Sequence, residues 1–352
     1  MPRLWWLATR RLRVVVFDNE DAVMLIRLGF DIEFDVPWPV AMIALYHVHS
    51  SRRADLREPD EPVITPAVRV DEYEDSFGNV CSRFIAPPGQ LQLYHSTLIE
   101  DSGEPDVVNP DARQWPVEDL PPEVLRYLVA SRYCEVGRFL DIACSLFGHI
   151  KPGWARVQAV CDWVQANVIF GYPFASPTKT ALDVHADRKG VCRDFQHLAI
   201  TFCRCLNIPA RYATGYLGDI GVPPVPPGDF SAWFEAHLDG RWWTFDARNN
   251  MPRIGRVLMA VGRDAADVAL TTSFGAAWLR KFVVVTDEVV SGERRLPHNR
   301  ATLQGHLRQC SVAAPTESRT PNLQRAKIAQ KRLRMEGWRQ RRPGSKAKNP
   351  LK

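Results

Sequence analysis

The segment Gly190-Val191-Cys192-Arg193-Asp194 places a thiol where an apolar-striped helix begins. From about Cys192 to Leu206, the residues Phe195, Leu198, Ala199, Phe202 and Leu206 repeat at the spacing of one buried helical face. Asn207 and Pro209 end the run. The N–H groups of a first helical turn lack partners within the helix, and the dipole is positive there. Both effects favour a thiolate, so Cys192 is expected to ionise below the ordinary value of about 8.5. Arg193 adds positive charge beside it, and Gly190 permits a sharp turn and the close approach of a substrate. Such a thiol offers nucleophilic attack; the plain alternative is a structural cysteine.

A second stretch, DFSAWFEAHLDGRWWTFDARN (229–249), reads as two strands joined at Asp239-Gly240. That turn sets Leu238 opposite Arg241, hence Trp233 opposite Asp246 and Ser231 opposite Arg248. Residues 231, 233, 235 and 237 then share a face with 242, 244, 246 and 248. Ser231 and Asp246 become diagonal neighbours, and Trp233 is a candidate cleft wall. His237 stands about 13 Å from Asp246 at roughly 3.3 Å per residue, and is expected to be partly exposed near the turn. His197, five residues after Cys192, points to another side of the helix. His185, in the preceding loop, is the freer candidate to support the thiol.

The elements that must position these groups follow from patterning. Alternation in Phe30 to Val36 predicts a half-buried strand, and Ala41–Val48 and Leu91–Leu98 are further strand candidates. Gly78-Asn79 marks a hairpin. Residues 28–100 therefore form a β-rich domain after an extension, 1–27. Pro, Asp and Glu crowd a linker over 101–122. A core segment, 123–290, begins with helices expected near 122–134 and 153–167. Ala210–Leu217 reads as a strand, Arg253–Val268 as loop with a helical turn, and Phe282–Val285 as a last strand.

The 352 residues are 45% apolar, enough for a sizeable core. No apolar run is long enough to span a bilayer, and the start lacks a cleavable-signal pattern, so the default location is cytoplasmic. None of the eight cysteines forms a CxxC pair, which gives no zinc signature. The net charge of +5 divides unevenly. Residues 300–352 hold 14 Lys/Arg and 2 Asp/Glu, or +12, against −7 for the rest. The tail, 291–352, reads as basic and disordered, with a short helix near Leu323 to Trp338. It offers a weak site for an anionic partner.

In order, GVCRDF, NIPARY, GYL, AWFE and WWTFDAR resemble the core of the bacterial transglutaminase-like, cysteine-protease-type superfamily over about residues 155–275. The preceding strands resemble the β region that accompanies this core in bacterial members. The resemblance implies an α+β, papain-like fold, with a nucleophile helix packed on an antiparallel sheet, preceded by a small antiparallel β domain. It implies acyl transfer through a thioester, to water or an amine, on a peptide or protein amide substrate. Cys192 takes the nucleophile's position and Asp246 the orienting carboxylate's, while the family's His falls on Ser231. A hydroxyl gives or takes a hydrogen bond but does not ionise usefully near neutral pH. Two functions follow: a thiol hydrolase or acyltransferase with Ser231 in the His position, or an inactive fold that binds a peptide or protein. No cofactor or metal is implied.

Overall fold

The computed structural model describes residues 23–224 and 228–289. The basic tail from 290, with the short helix expected near Leu323, lies outside the described residues, as does 1–22 of the N-terminal extension. The strands and helices in chain order are β1 (Met24–Val36), β2 (Val40–Ala44), β3 (Val63–Thr65), β4 (Val70–Glu74), β5 (Val80–Ala86) and β6 (Gly89–Asp101), then α1 (Leu140–Phe147), α2 (Trp154–Asn167), β7 (Ile169–Phe170), α3 (Ala181–Asp187), β8 (Lys189–Gly190), α4 (Cys192–Cys205), β9 (Ala210–Leu217), β10 (Phe230–Leu238), β11 (Arg241–Phe245), β12 (Arg256–Gly262), β13 (Thr271–Ser273) and β14 (Trp278–Glu288).

Three four-stranded sheets result, ordered β14-β1-β6-β3, β13-β2-β5-β4 and β11-β10-β9-β12, and β7 pairs in parallel with β8. The third sheet carries the central helix. Ala232, Phe234, Ala236 and Leu238, alternate residues of β10, share one apolar cluster with Phe195, Leu198, Ala199 and Phe202 of α4. This is period two meeting period 3.6, each burying one face. On the other side, Tyr216, Val257 and Met259 join Phe30, Ile32 and Met42 in a second cluster. Buried Asn79, from the Gly78-Asn79 turn, makes two 2.8 Å bonds to the backbone of Val261 and so extends β12 with a side-chain amide. The fold is α+β, with an antiparallel β region leading into a helix-on-sheet core.

Several elements differ from the sequence expectation. The first helix of the core is a short 3₁₀ turn, Pro122–Tyr127. The loop expected over 253–268 contains β12. The last strand runs over 278–288 and pairs with β1, not with the core sheet. That pairing covers β1's acidic side: Asp31 is buried, 2.7 Å from Lys281 Nζ and 2.8 Å from Gln92. Glu33 and Asp35 stay partly exposed on the same face, as the alternation predicted, and Asp31 alone of the three acids is buried. Among the described residues no helix is long and apolar enough to cross a membrane.

Candidate active site

Local bonding at the start of α4 is dense. Val191 is the N-cap in extended backbone, and Asp194, in the first turn, accepts its N–H at 2.9 Å. Asp194 is fully buried and pairs with Arg193 at 3.2 Å. A Cβ on Gly190 would stand 2.6 Å from the Asp194 Cβ and 2.8 Å from its carboxylate. Glycine here accommodates the cap residue, where the sequence suggested room for a substrate.

Cys192 is half-buried at the first position of α4. Its thiol is pushed up to about 11, opposite to the depression expected from the helix terminus. Burial is the main cause, followed by the negative charge of Asp229; Arg248 and the Arg193 N–H pull the other way, and Asp246 adds to the rise. Loss of water and two carboxylates outweigh the dipole of one helical turn. The Arg193 guanidinium is engaged elsewhere, with Asp194, the Ser176 carbonyl and the face of Tyr133. The cation felt by the sulfur is Arg248, whose guanidinium lies 3.8 Å from the Phe170 ring centre.

Asp246 follows β11 where the hairpin ladder ends. The observed register pairs Leu238 with Arg241 and Phe234 with Phe245, as the Asp-Gly turn requires. Its carboxylate is buried and joins two sides of the sheet. Oδ1 accepts from Gln196 Nε2 at 3.1 Å, on the α4 side. Oδ2 meets Arg256 of β12 at 3.1 Å and Asn249 Nδ2 at 2.7 Å. Burial raises its pKa, yet Arg256 and the Asn249 donors outweigh that and hold the carboxyl below its usual range. Asp246 thus stays ionised.

Gln196, unremarked in the sequence, links helix to carboxylate. It sits four residues after Cys192, on the same helical face. Besides Asp246 it donates to the Ala232 carbonyl at 3.1 Å and accepts from Ala247 N–H at 3.1 Å. A polar residue inside an apolar stripe was the available signal. Gln196→Ala removes the side-chain acceptor of Ala247 N–H and one donor each from Asp246 and the Ala232 carbonyl, at roughly 1–3 kcal/mol for a buried group left unsatisfied. Chemical denaturation should show a loss of at least about 2 kcal/mol, with the midpoint and not the slope changed.

Ser231 is 7% exposed, and its hydroxyl has no hydrogen-bond partner among the described residues. Its carbonyl accepts from Thr214 Oγ1 at 3.0 Å. The odd-numbered residues of β10 face away from α4, and Trp233 packs there with Ala213 and Val261. Trp233 is 2% exposed and lies under Arg256, 5.2 Å from guanidinium carbon to ring centre. It steadies the cation that holds Asp246 and is not an open cleft wall.

The histidines lie elsewhere. His185 belongs to α3, stacks on Trp163 at 5.8 Å and meets Phe139 edge-on. His197 stacks on Tyr133 and accepts from Ala265 N–H at 3.1 Å. His237 is buried, not partly exposed, because Trp115 of the linker segment covers it together with Trp242. Two surface concavities, one lined by Trp163, His185 and Arg188 and the other by Asp106, Trp242 and Arg256, do not include Cys192.

Residues 141–247 match the family model described as the transglutaminase-like superfamily. An uncharacterized protein of Mycobacterium leprae is 30% identical over 215 residues, covering 58% of this chain and 75% of the relative. A crystal structure of a candidate cysteine protease from Cytophaga hutchinsonii superposes with a TM-score of 0.67 at 30% identity, covering 77% of this chain and 92% of that one.

Proposed function

The chain belongs to the bacterial transglutaminase-like superfamily, and from that membership we propose that it is a thiol acyl-transfer enzyme acting on peptide or protein amides, most simply as a hydrolase. The supporting observation is a thiol at the first position of α4, with Gln196 one turn further along the same helix bonded to the Asp246 carboxylate at 3.1 Å. Cys192 Sγ attacks the acyl carbonyl and forms a carbon–sulfur bond. The thiol proton passes to the leaving amine as the carbon–nitrogen bond breaks. Water then cleaves the thioester and returns a proton to sulfur. First-turn N–H groups of α4 are suitable donors to the developing oxyanion. Asp246, ionised and fixed by Gln196 and Arg256, holds Arg248 and Asn249 through their backbone N–H groups at 3.0 Å. Ser231 takes the His position and offers an unpartnered hydroxyl to a bound ligand.

A second reading has its own support. A thiol pushed up to about 11 and the absence of an imidazole at Ser231 suit a fold that binds a peptide without cleaving it. Turnover of p-nitrophenyl esters and peptide p-nitroanilides by the full chain separates the two. The enzyme reading predicts turnover that vanishes in Cys192→Ala, with esters faster than anilides because no thiolate is preformed. Binding of peptides with no difference between the two proteins in turnover favours the module.

A further inference from the structure

Arg248 carries a positive charge that no carboxylate neutralises. Among the described residues its guanidinium has no ion-pair partner, whereas Arg211, Arg253, Arg256 and Arg263 of the same core each meet a carboxylate. It lies instead over the Phe170 ring, 3.8 Å from the ring centre. Phe170 is fixed in turn. Its backbone pairs with Gly190 in the β7–β8 ladder, and the next N–H, of Gly171, donates to the Gly190 carbonyl at 3.1 Å. Its ring stands 6.3 Å from that of Phe195 in the first turn of α4, and 5.4 Å from Tyr172 in an edge-on contact. Gly190 comes two residues before Cys192 and Phe195 three after it, so the ring marks the start of α4. The Arg248 backbone is tied to the same helix one turn further on. Its N–H donates to Asp246 Oδ1 at 3.0 Å, and that oxygen also accepts from Gln196, on the helical face of Cys192. The arginine therefore runs from the Gln196 turn to the Phe170 ring, across the end of the helix that carries the thiol.

We propose that Arg248 is a specificity-determining residue, which grips a carboxylate of the substrate close to the bond that Cys192 attacks. The substrate class is then an acyl compound with an acidic group beside its reacting carbonyl, such as a peptide cleaved next to Glu or Asp. This rests on the acyl-transfer reading above and adds the chemistry of the substrate to it. A guanidinium presents its N–H donors in a planar fork that matches two carboxylate oxygens at once. Contact with Phe170 occupies one face of the ion and leaves its edge, where those donors lie, to a ligand. The ring also restricts a long side chain beforehand, so less freedom is lost when a ligand binds. Arg248 is half-buried, which screens such a pair less than a fully exposed one. Tyr172, 44% exposed beside Phe170, offers an aromatic surface to the rest of the substrate.

A substrate carboxylate lies on the acyl side or the leaving side of the bond, and thioesters separate the two. In the acyl arm, peptidyl thioesters ending in Glu or in Gln share one neutral leaving thiol. In the leaving arm, one neutral peptidyl group is carried by mercaptoacetate or by mercaptoacetamide. Within each arm the partners differ by a charge and hardly in size. The readout is the ratio of kcat/KM, acid over amide, for the full chain and its variants. Arg248 also acts on the thiol, and a ratio cancels that effect. The expected ratio is at least about 10 in one arm of wild type. In Arg248→Gln it falls below about 2, and Arg248→Lys lies between, because an ammonium keeps the charge without the fork. Phe170→Leu, which removes the ring and keeps the arginine, lowers the ratio as well, and carries the test should the Arg248 variants fail to fold. Ratios near 1 in both wild-type arms, or a ratio retained in Arg248→Gln or Phe170→Leu, overturn recognition by Arg248 and leave acyl transfer standing. No Cys192-dependent turnover of any of these thioesters overturns the acyl-transfer reading and the role of Arg248 with it.

Discussion

Cys192→Ala is expected to lower turnover of activated acyl substrates by at least about 10³-fold while leaving the protein folded. Removal of a nucleophile abolishes the covalent route, and what remains is whatever binding and oxyanion donors supply alone. The fold should tolerate the change. The thiol is half-buried, and the cap at this helix start runs through Val191 and Asp194 at 2.9 Å, not through the sulfur. A melting curve within a few degrees of wild type, with turnover at background, is the expected pair of results. A melting curve and turnover both unchanged would assign the activity to another group.

Ser231→His is expected to raise kcat by about 10²- to 10⁴-fold, the usual worth of general acid–base help. The position follows Asp229 by two residues. The orienting carboxylate is already built: Asp246 is ionised, buried and tied by Gln196, Asn249 and Arg256. An imidazole in its field is favoured as the cation, which stabilises a thiolate beside it. The larger ring enters a site that is 7% exposed, so overpacking should cost about 1–3 kcal/mol. Activity should therefore be measured well below the melting midpoint. The pH profile should change as well, gaining a limb set by an imidazole, ordinarily near 6.5. An unchanged kcat with an unchanged profile in a folded variant would show that the position does not face the reacting thiol.

The parts of the fold that were readable in the sequence are those fixed by short-range rules. Asp239-Gly240 determined the hairpin register, and the apolar stripe of Phe195, Leu198, Ala199 and Phe202 placed α4. β12 was missed because RVLMAVG is an apolar run without alternation; it is buried between the two β regions through Val257 and Met259. The burial of His237 needed Trp115, from more than a hundred residues away. For the site the division is similar. Cys192 at a helix start was legible locally, but the sign of its shift was not. That sign depends on Asp229, Asp246 and burial, none of which a single helix terminus reveals. Gln196 drew no reading from the sequence, because its partners Asp246 and Ala247 lie some fifty residues away.

The central claim is that the sulfur of residue 192 carries an acyl group during turnover. Brief exposure of the full chain to a peptidyl thioester, followed by acid quench and mass-spectrometric mapping, tests it directly. The account predicts one acyl group, on the peptide containing Cys192, that builds up within a turnover and disappears as substrate is exhausted. Acyl groups spread over Cys144 and surface lysines, with Cys192 unmodified at every time point, would contradict it.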